Sequence, residues 1–244
     1  NDTLGFISPD SGDKLFLFAT NETGVYDGVV LKKRPLARFP DGMGTWLAPD
    51  VPTPGASNRF AFHPELVINE IMYHHKDFPA ADTNSVPQKN PEEWIELYNR
   101  SSGPVDLTGW TLSGGISYAF TAGQMIAPGG YLVVAKDATA LHATYPAIAI
   151  VGDYSGKLGS DEQIILNDPT GNPANQVHYY DSGRWPEAAD GGGSSLELRD
   201  PQADNSKAEA WAASQESGKS SWQTYTYRLV AQPSATPDPD NQWH

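Results

Sequence analysis

Few residues of this chain have types and spacings from which chemistry can be built. His74 and His75 are adjacent, with Asp77 close behind, in a polar stretch over residues 74–90. On an extended segment neighbouring side chains point to opposite faces, so one strand cannot aim both imidazoles at one ion. The pair therefore reads as part of a solvated loop. His63, His142, His178 and His244 are scattered without ligand-like spacing, and zinc is not expected. Cysteine is absent, which removes thiolate metal sites, thiol nucleophiles and disulfides.

Carboxylates are the catalytic raw material present in quantity. Glu70 lies between Ile68 and Met72 on a face that otherwise looks buried, and Glu93 and Glu96 lie on what reads as the neighbouring strand. A buried carboxylate is paired, hydrogen-bonded or protonated, so an acid–base role is one reading of Glu70. The plainer reading is that it accepts hydrogen bonds and fixes strand pairing. No Gly-x-Ser-x-Gly elbow presents a serine nucleophile, and Gly191-Gly192-Gly193 lacks the lysine and following helix of a phosphate loop. It reads as a hairpin turn. No catalytic residue is assigned, and the expectation is a protein that is not an enzyme. Asp153, Asp161, Asp168, Asp181 and Asp190 place hard oxygens in turns, which makes calcium the ion the chain could take. No Asp-x-Asp-x-Asp-Gly loop accompanies them, and no other cofactor is expected.

The aromatic residues are the best hint of a ligand. Trp94 and Tyr98 share the non-aliphatic face of one strand, and Tyr179, Tyr180 and Trp185 cluster later. Flat rings beside carboxylates and amides suit sugar recognition, by stacking on a pyranose and hydrogen bonding its hydroxyls. Trp94, Tyr98, Tyr179 and Trp185 are thus the candidate ligand-binding residues. The competing reading packs the same rings in a core or over a sheet edge.

The elements that must position these residues are strands. Period-two patterns run through residues 66–73, 93–99, 105–112, 117–121, 130–135, 162–167, 176–180 and 194–199, mostly separated by Gly, Pro, Asn or Asp turns. Residues 137–145, with Asp137 as N-cap, and 206–214 have helical composition. Eight short strands in about 135 residues predict an all-β sandwich.

Composition agrees. Gly (23) and Pro (20) are abundant among the 244 residues while charged residues reach only 19%, which disfavours a helical bundle. A net charge of −14 argues against phosphate backbones and anionic lipid as partners. No apolar run approaches the roughly 18 residues of a membrane span. The acidic, aromatic, Gly/Pro-rich composition predicts an exported protein, with any leader removed or lying on sequence beyond this stretch.

The chain also repeats itself. Residues 12–18 resemble 159–166, Asp27 and Val29 fall on Asn175 and Val177 at the same offset, and Asp41-Gly42-Met43-Gly44 falls one residue further on Asp190-Gly191-Gly192-Gly193. Residues 1–58 then read as the back half of a domain, 59–65 as a linker, 66–222 as a complete second copy, and 223–244 as a strand and linker leading to a further domain. Half a sandwich exposes strand edges, so residues 1–58 are expected to be ordered by pairing with material outside the second copy.

Four segments together, Ile68-Asn69-Glu70-Ile71-Met72-Tyr73, Glu93-Trp94-Ile95-Glu96-Leu97-Tyr98-Asn99, Val105-Asp106-Leu107-Thr108-Gly109-Trp110-Thr111-Leu112-Ser113 and Ile126-Ala127-Pro128-Gly129-Gly130-Tyr131-Leu132-Val133-Val134-Ala135, resemble the bacterial lamin-tail domain in order and spacing. Residues 185–198 resemble its late segment, and 4–58 the same segment of a preceding copy. The resemblance implies an immunoglobulin-like β-sandwich with short helical connections. It departs over 74–90, longer and more polar than the usual link. It further implies a non-catalytic structural or interaction module of a secreted or cell-surface bacterial multidomain protein, spacing or docking attached domains. Its partners would be other domains of the same polypeptide or surface proteins, with no nucleic acid and no membrane span. The alternative is a carbohydrate-binding module that targets an attached enzyme to extracellular polysaccharide.

Overall fold

The computed structural model describes residues 12–53, 55–78 and 89–215. Two short hairpins come first: β1 (Lys14–Phe18) with β2 (Val25–Val30), and β3 (Ala37–Phe39) with β4 (Thr45–Leu47). There follow β5 (Leu66–Met72), β6 (Trp94–Asn99), β7 (Val105–Asp106), β8 (Thr111–Gly114), β9 (Ile116–Ala119), β10 (Met125–Ile126) and β11 (Tyr131–Ala135). Helix α1 (Ala138–Thr144) precedes β12 (Ile150–Gly152), β13 (Ser155–Gly156), β14 (Asp161–Asn167), β15 (Pro173–Tyr180), β16 (Leu196–Leu198) and β17 (Trp211–Ala213).

Two sheets build the body. One has six strands in the order β12-β11-β6-β5-β16-β17, and the other five in the order β13-β9-β8-β14-β15. All pairings are antiparallel except β11 with β12. Their inner faces share one apolar core that includes Leu66, Ile68, Ile71, Ile95 and Leu97 from the first sheet and Leu112, Ile116, Ile164, Leu166 and Val177 from the second. The fold is therefore an all-β, immunoglobulin-like β-sandwich with short helical connections, as the strand pattern and the resemblance predicted.

Alternation explains β6. Ile95, Leu97 and Asn99 are buried while Trp94, Glu96 and Tyr98 are half-buried on the other face. Asn99 ends this inner row by donating to the carbonyls of Gly103, Ile126 and Ala127 at 2.8, 3.0 and 3.1 Å, which ties two loops to the strand. Strand β5 departs from alternation. Its register against β6 shifts between Ile68 and Glu70, leaving Asn69 as the extra residue of a β-bulge. Ile68 and Ile71 then both face the core, and Glu70 is turned out with Met72. The expectation that Glu70 sits on the face of Ile68 is corrected by this single inserted residue.

Helix α1 falls where its composition placed it. Asp137 accepts from Ala140 N at 2.8 Å and Asp153 from Ala138 N at 2.7 Å, so two first-turn amides are satisfied. Residues 206–214 instead form a 3₁₀ turn, Ala208–Ala210, and then β17. Trp211 decides this: its ring is buried against Trp185 and its Nε1 donates to Asn205 O at 2.9 Å, an anchor that a continuous helix would break. Gly191-Gly192-Gly193 lies in the connection into β16 and does not join paired strands. The predicted strand at 222–230 lies outside the described residues.

Among the described residues, β1 to β4 pair only with one another. Their tie to the sandwich is a side-chain clamp. Buried Asn172 accepts from Ala48 N and donates to Ala48 O, both at 2.8 Å, as a surrogate strand partner. Beside it Gly171, with φ +74°, lies so close to the Arg34 guanidinium that a β-carbon there would collide with it.

Candidate functional site

The outer face of the six-stranded sheet carries the polar chemistry. Glu96 lies opposite Glu70 on β5, and Glu70 opposite Glu197 on β16, so three glutamates form one row across three strands. Val133 continues the row on β11, and α1 covers that end of the sheet, packing Leu141 against Val133 and Ala135 with Trp94, Tyr145 and Ile150 around them. Between helix and carboxylates lies a cavity of about 290 Å³ bounded by Glu70, Trp94, Glu96, Val133, Leu141 and Tyr145, among others.

Glu96 and Glu70 each have their own support. Asn69, the bulged residue, donates Nδ2 to Glu96 Oε1 at 2.9 Å, and the Ser195 hydroxyl donates to Glu70 Oε1. Burial pushes the Glu96 carboxyl up to about 7; the Asn69 hydrogen bond opposes this, and the neighbouring Glu70 and Glu197 charges add to it. Glu93 has a different fate. Its Oε2 accepts from Leu158 N at 3.0 Å and from the Tyr154 hydroxyl at 3.3 Å, so it closes the loop before β14 and does not join the row.

The four aromatic candidates are separated. Tyr179 is fully buried and Trp185 is 8% exposed. They belong to an internal chain of rings, Tyr73 to Tyr179 at 4.9 Å, Tyr179 to Trp185 at 6.4 Å and Trp185 to Trp211 at 6.1 Å between centroids. Burial there drives the Tyr73 and Tyr179 hydroxyls well above the usual phenol range. Rings so placed cannot stack on a sugar. Trp94 and Tyr98 stay on the outer face, Trp94 with Nε1 donating to Glu92 at 3.0 Å, and Tyr98 against the half-exposed Tyr131 with centroids 4.7 Å apart. Tyr131 was missed because its strand reads as an apolar run, whose outward positions periodicity does not mark.

The histidine pair diverges: His74 Nδ1 lies 2.6 Å from Asp190 Oδ1, while His75 Nδ1 meets Asn90 Nδ2 at 2.8 Å. The turn aspartates are dispersed. Asp153 caps α1, Asp161 faces His178, and buried Asp168 accepts from Asn172 N. Among the described residues no three His, Asp or Glu side chains are grouped to hold a metal ion.

No curated protein matches the chain. Residues 61–181 match the family model of the lamin tail domain. That match begins just ahead of β5 and ends just past β15, so it takes in the core of both sheets, while β16 and β17, which cover the free edge of β5, come from residues beyond it. Over residues 61–181, then, the chain is similar to the lamin tail domain, and the immunoglobulin-like sandwich formed there is consistent with that likeness.

Proposed function

We propose that this chain is a non-catalytic structural and interaction module of a secreted or cell-surface bacterial multidomain protein, spacing or docking the domains attached to it. The observation that carries the reading is the clamp between Asn172 and Ala48, which couples the preceding segment to the sandwich through two buried hydrogen bonds. A joint of this kind transmits orientation, as a spacer requires. The proposed duplication adds to it. The hairpin β1–β2 and the hairpin β14–β15 are both antiparallel with a register shift near the turn, at Leu17/Phe18 and at Leu166/Asn167. Gly42 and Gly191, which the repeat aligns, have φ of +74° and +73°. On this reading residues 1–58 are the back half of one lamin-tail-like domain, 66–222 a complete one, and the partners are other domains of the polypeptide or surface proteins.

Backbone NMR relaxation tests the joint. Residues 37–48 and the sandwich are expected to tumble with one correlation time, and Asn172→Ala to separate them, with residues 37–48 gaining fast motion. Independent tumbling already in the unaltered chain would overturn the spacer reading.

The stacked pair Tyr98 and Tyr131 favours the alternative, a carbohydrate-binding module, because it leaves one half-exposed ring on the outer sheet face that also carries Trp94. Retention on a polysaccharide, in calcium or in EDTA, that Tyr98→Ala abolishes with the fold intact would put this reading ahead and would say whether an ion takes part.

A further inference from the structure

The segment ahead of the sandwich repeats the geometry of the sandwich's own later strands, pair by pair. In β1–β2 the register shifts between Leu17 and Phe18, and in β14–β15 between Leu166 and Asn167, which sets Leu17 on Leu166 and Leu15 on Ile164. The partners agree: Leu15 pairs with Val29 as Ile164 pairs with Val177, and Leu17 with Asp27 as Leu166 with Asn175. Further on, Asp50 N donates to Arg59 O at 3.0 Å, as Arg199 N donates to Ala210 O at 2.8 Å. The next residue, Phe60 in one case and Trp211 in the other, then meets the middle ring of Arg38-Phe39-Pro40 or of Arg184-Trp185-Pro186, with centroids 5.3 and 6.1 Å apart. What differs is the cover. Ile164, Leu166 and Trp185 are buried, whereas Leu17 is 62% and Phe39 43% exposed. On the edge away from β15, β14 carries β8, and Gly115 N donates there to Gln163 O at 3.0 Å. Gln163 and Ile165 thus turn their backbone groups to β8, and their counterparts are Lys14 and Phe16. Leu31 N donates to Asp13 O at 2.7 Å, so Asp13, Leu15 and Leu17 turn theirs to β2. Lys14, Phe16 and Phe18 face the other edge, which no strand among the described residues takes.

We propose that this edge of β1 is the docking site for one antiparallel strand, the β8-type strand from the front half of the same lamin-tail-like copy, seated on β1 as β8 is seated on β14. The inference rests on the reading of residues 1–58 as the back half of such a copy, and it adds the edge, the strand and the register. The hold comes from main-chain hydrogen bonds to Lys14, Phe16 and Phe18, the mode by which an extended segment adds to an open sheet edge. Side chains set the register. Leu112 lies opposite Leu166, so an apolar residue at its place comes to lie opposite Leu17. Gly114 has φ +109°, and a β-carbon on it would stand 1.9 Å from Gln163 O. The carbonyl of Lys14 is the counterpart of that oxygen, so the docking strand carries glycine two residues after its apolar one.

The test is titration of the isotope-labelled full chain with a synthetic peptide of residues 108–116. Saturable binding with a Kd of about 1 mM is expected, with amide shifts concentrated on residues 14–18. Near saturation the amides of Lys14, Phe16 and Phe18 should exchange about tenfold more slowly. A spin label at the Thr108 end of the peptide should broaden the Phe18 end of β1 more than the Lys14 end, as antiparallel pairing requires. Two altered peptides leave the fold of the chain untouched. Gly114→Ala in the peptide meets the Lys14 carbonyl, and N-methylation at Ser113 removes an N–H that faces the edge; each should weaken binding at least about tenfold. Equal binding of either altered peptide, stronger broadening at Lys14, shifts over 163–167 in place of 14–18, or no binding would each overturn the proposal. The spacer reading fails separately: residues 37–48 that tumble independently of the sandwich while the peptide binds β1 would overturn that reading and leave this one standing.

Discussion

Glu96 shows how one residue can couple the surface of this sandwich to pH. In the unfolded chain its carboxyl titrates near the ordinary 4.5, and in the fold near 7, mainly because burial penalises the charge. The groups facing it are Glu70 and Glu197 across the sheet and Asn69 on the bulge. Between the two values the folded form holds a proton that the unfolded form has lost, so stability falls as pH rises through this window. The contribution is greatest below pH 4.5 and is lost above about 7. At about 1.4 kcal/mol per pH unit it amounts to no more than roughly 3 kcal/mol, reduced by the solvent that still reaches a half-buried group. Glu96→Gln is expected to gain stability over the unaltered chain as pH goes from 5 to 8, and paired thermal melts across that range would check the sign. A variant that loses stability at pH 8 would mean that the ionised carboxylate is well paired.

At the scale of elements, the outer site is made by three pieces that have no contiguity in sequence. The bulge in β5 turns Glu70 outward, β16 supplies Glu197 and the residue just ahead of it the Ser195 hydroxyl, and α1 closes the far end with Leu141. Helix α1 is short enough to depend on its caps, since seven residues form few internal hydrogen bonds. Asp137→Ala removes the acceptor of Ala140 N and is expected to cost about 1 kcal/mol. Amide hydrogen exchange should then speed up over 138–144 while the strands of both sheets keep their protection. Uniform loss of protection across the sheets would instead place the cap in the global folding unit.

Over the whole molecule, the sandwich extends beyond the segment that the family model covers. Trp211 on β17 is fully buried and closes the chain of rings through Trp185 to Tyr179, and β16 covers the edge of β5. A chain ending at residue 181 would lose both and expose an apolar strand edge at the middle of the six-stranded sheet. It is expected to aggregate or to bind a hydrophobic dye, and Trp211→Ala in the full chain to cost about 3–5 kcal/mol by denaturant unfolding. A soluble, cooperatively unfolding fragment would show that 61–181 holds a sufficient core. The opposite end differs in kind. On β1 and β2, Phe16, Leu17, Phe18, Val25, Tyr26 and Val30 are exposed, which fits a hairpin whose apolar faces are made to be covered.

Alternation in residues such as Ile95 and Leu97 against Trp94 and Glu96 made the strands and their inward faces legible, because a pleated strand half-buried in a sandwich forces that period on the sequence. The cap of α1 was equally plain, since Asp137 does its work within one turn. Local rules of this kind determined the all-β class, the element order and the likeness that the family match bears out. What depended on distant neighbours was decided by the tertiary structure alone. The bulge at Asn69 is a matter of register between two strands, and nothing in the sequence of β5 marks which residue is left over. Tyr179 and Trp185 resemble surface rings until β17 arrives to bury them, and Trp211 is read as helical until its indole needs that place. The glutamate row exists only because three strands far apart in the chain lie side by side, and a carboxylate's environment is set by what crosses its strand more than by what precedes it.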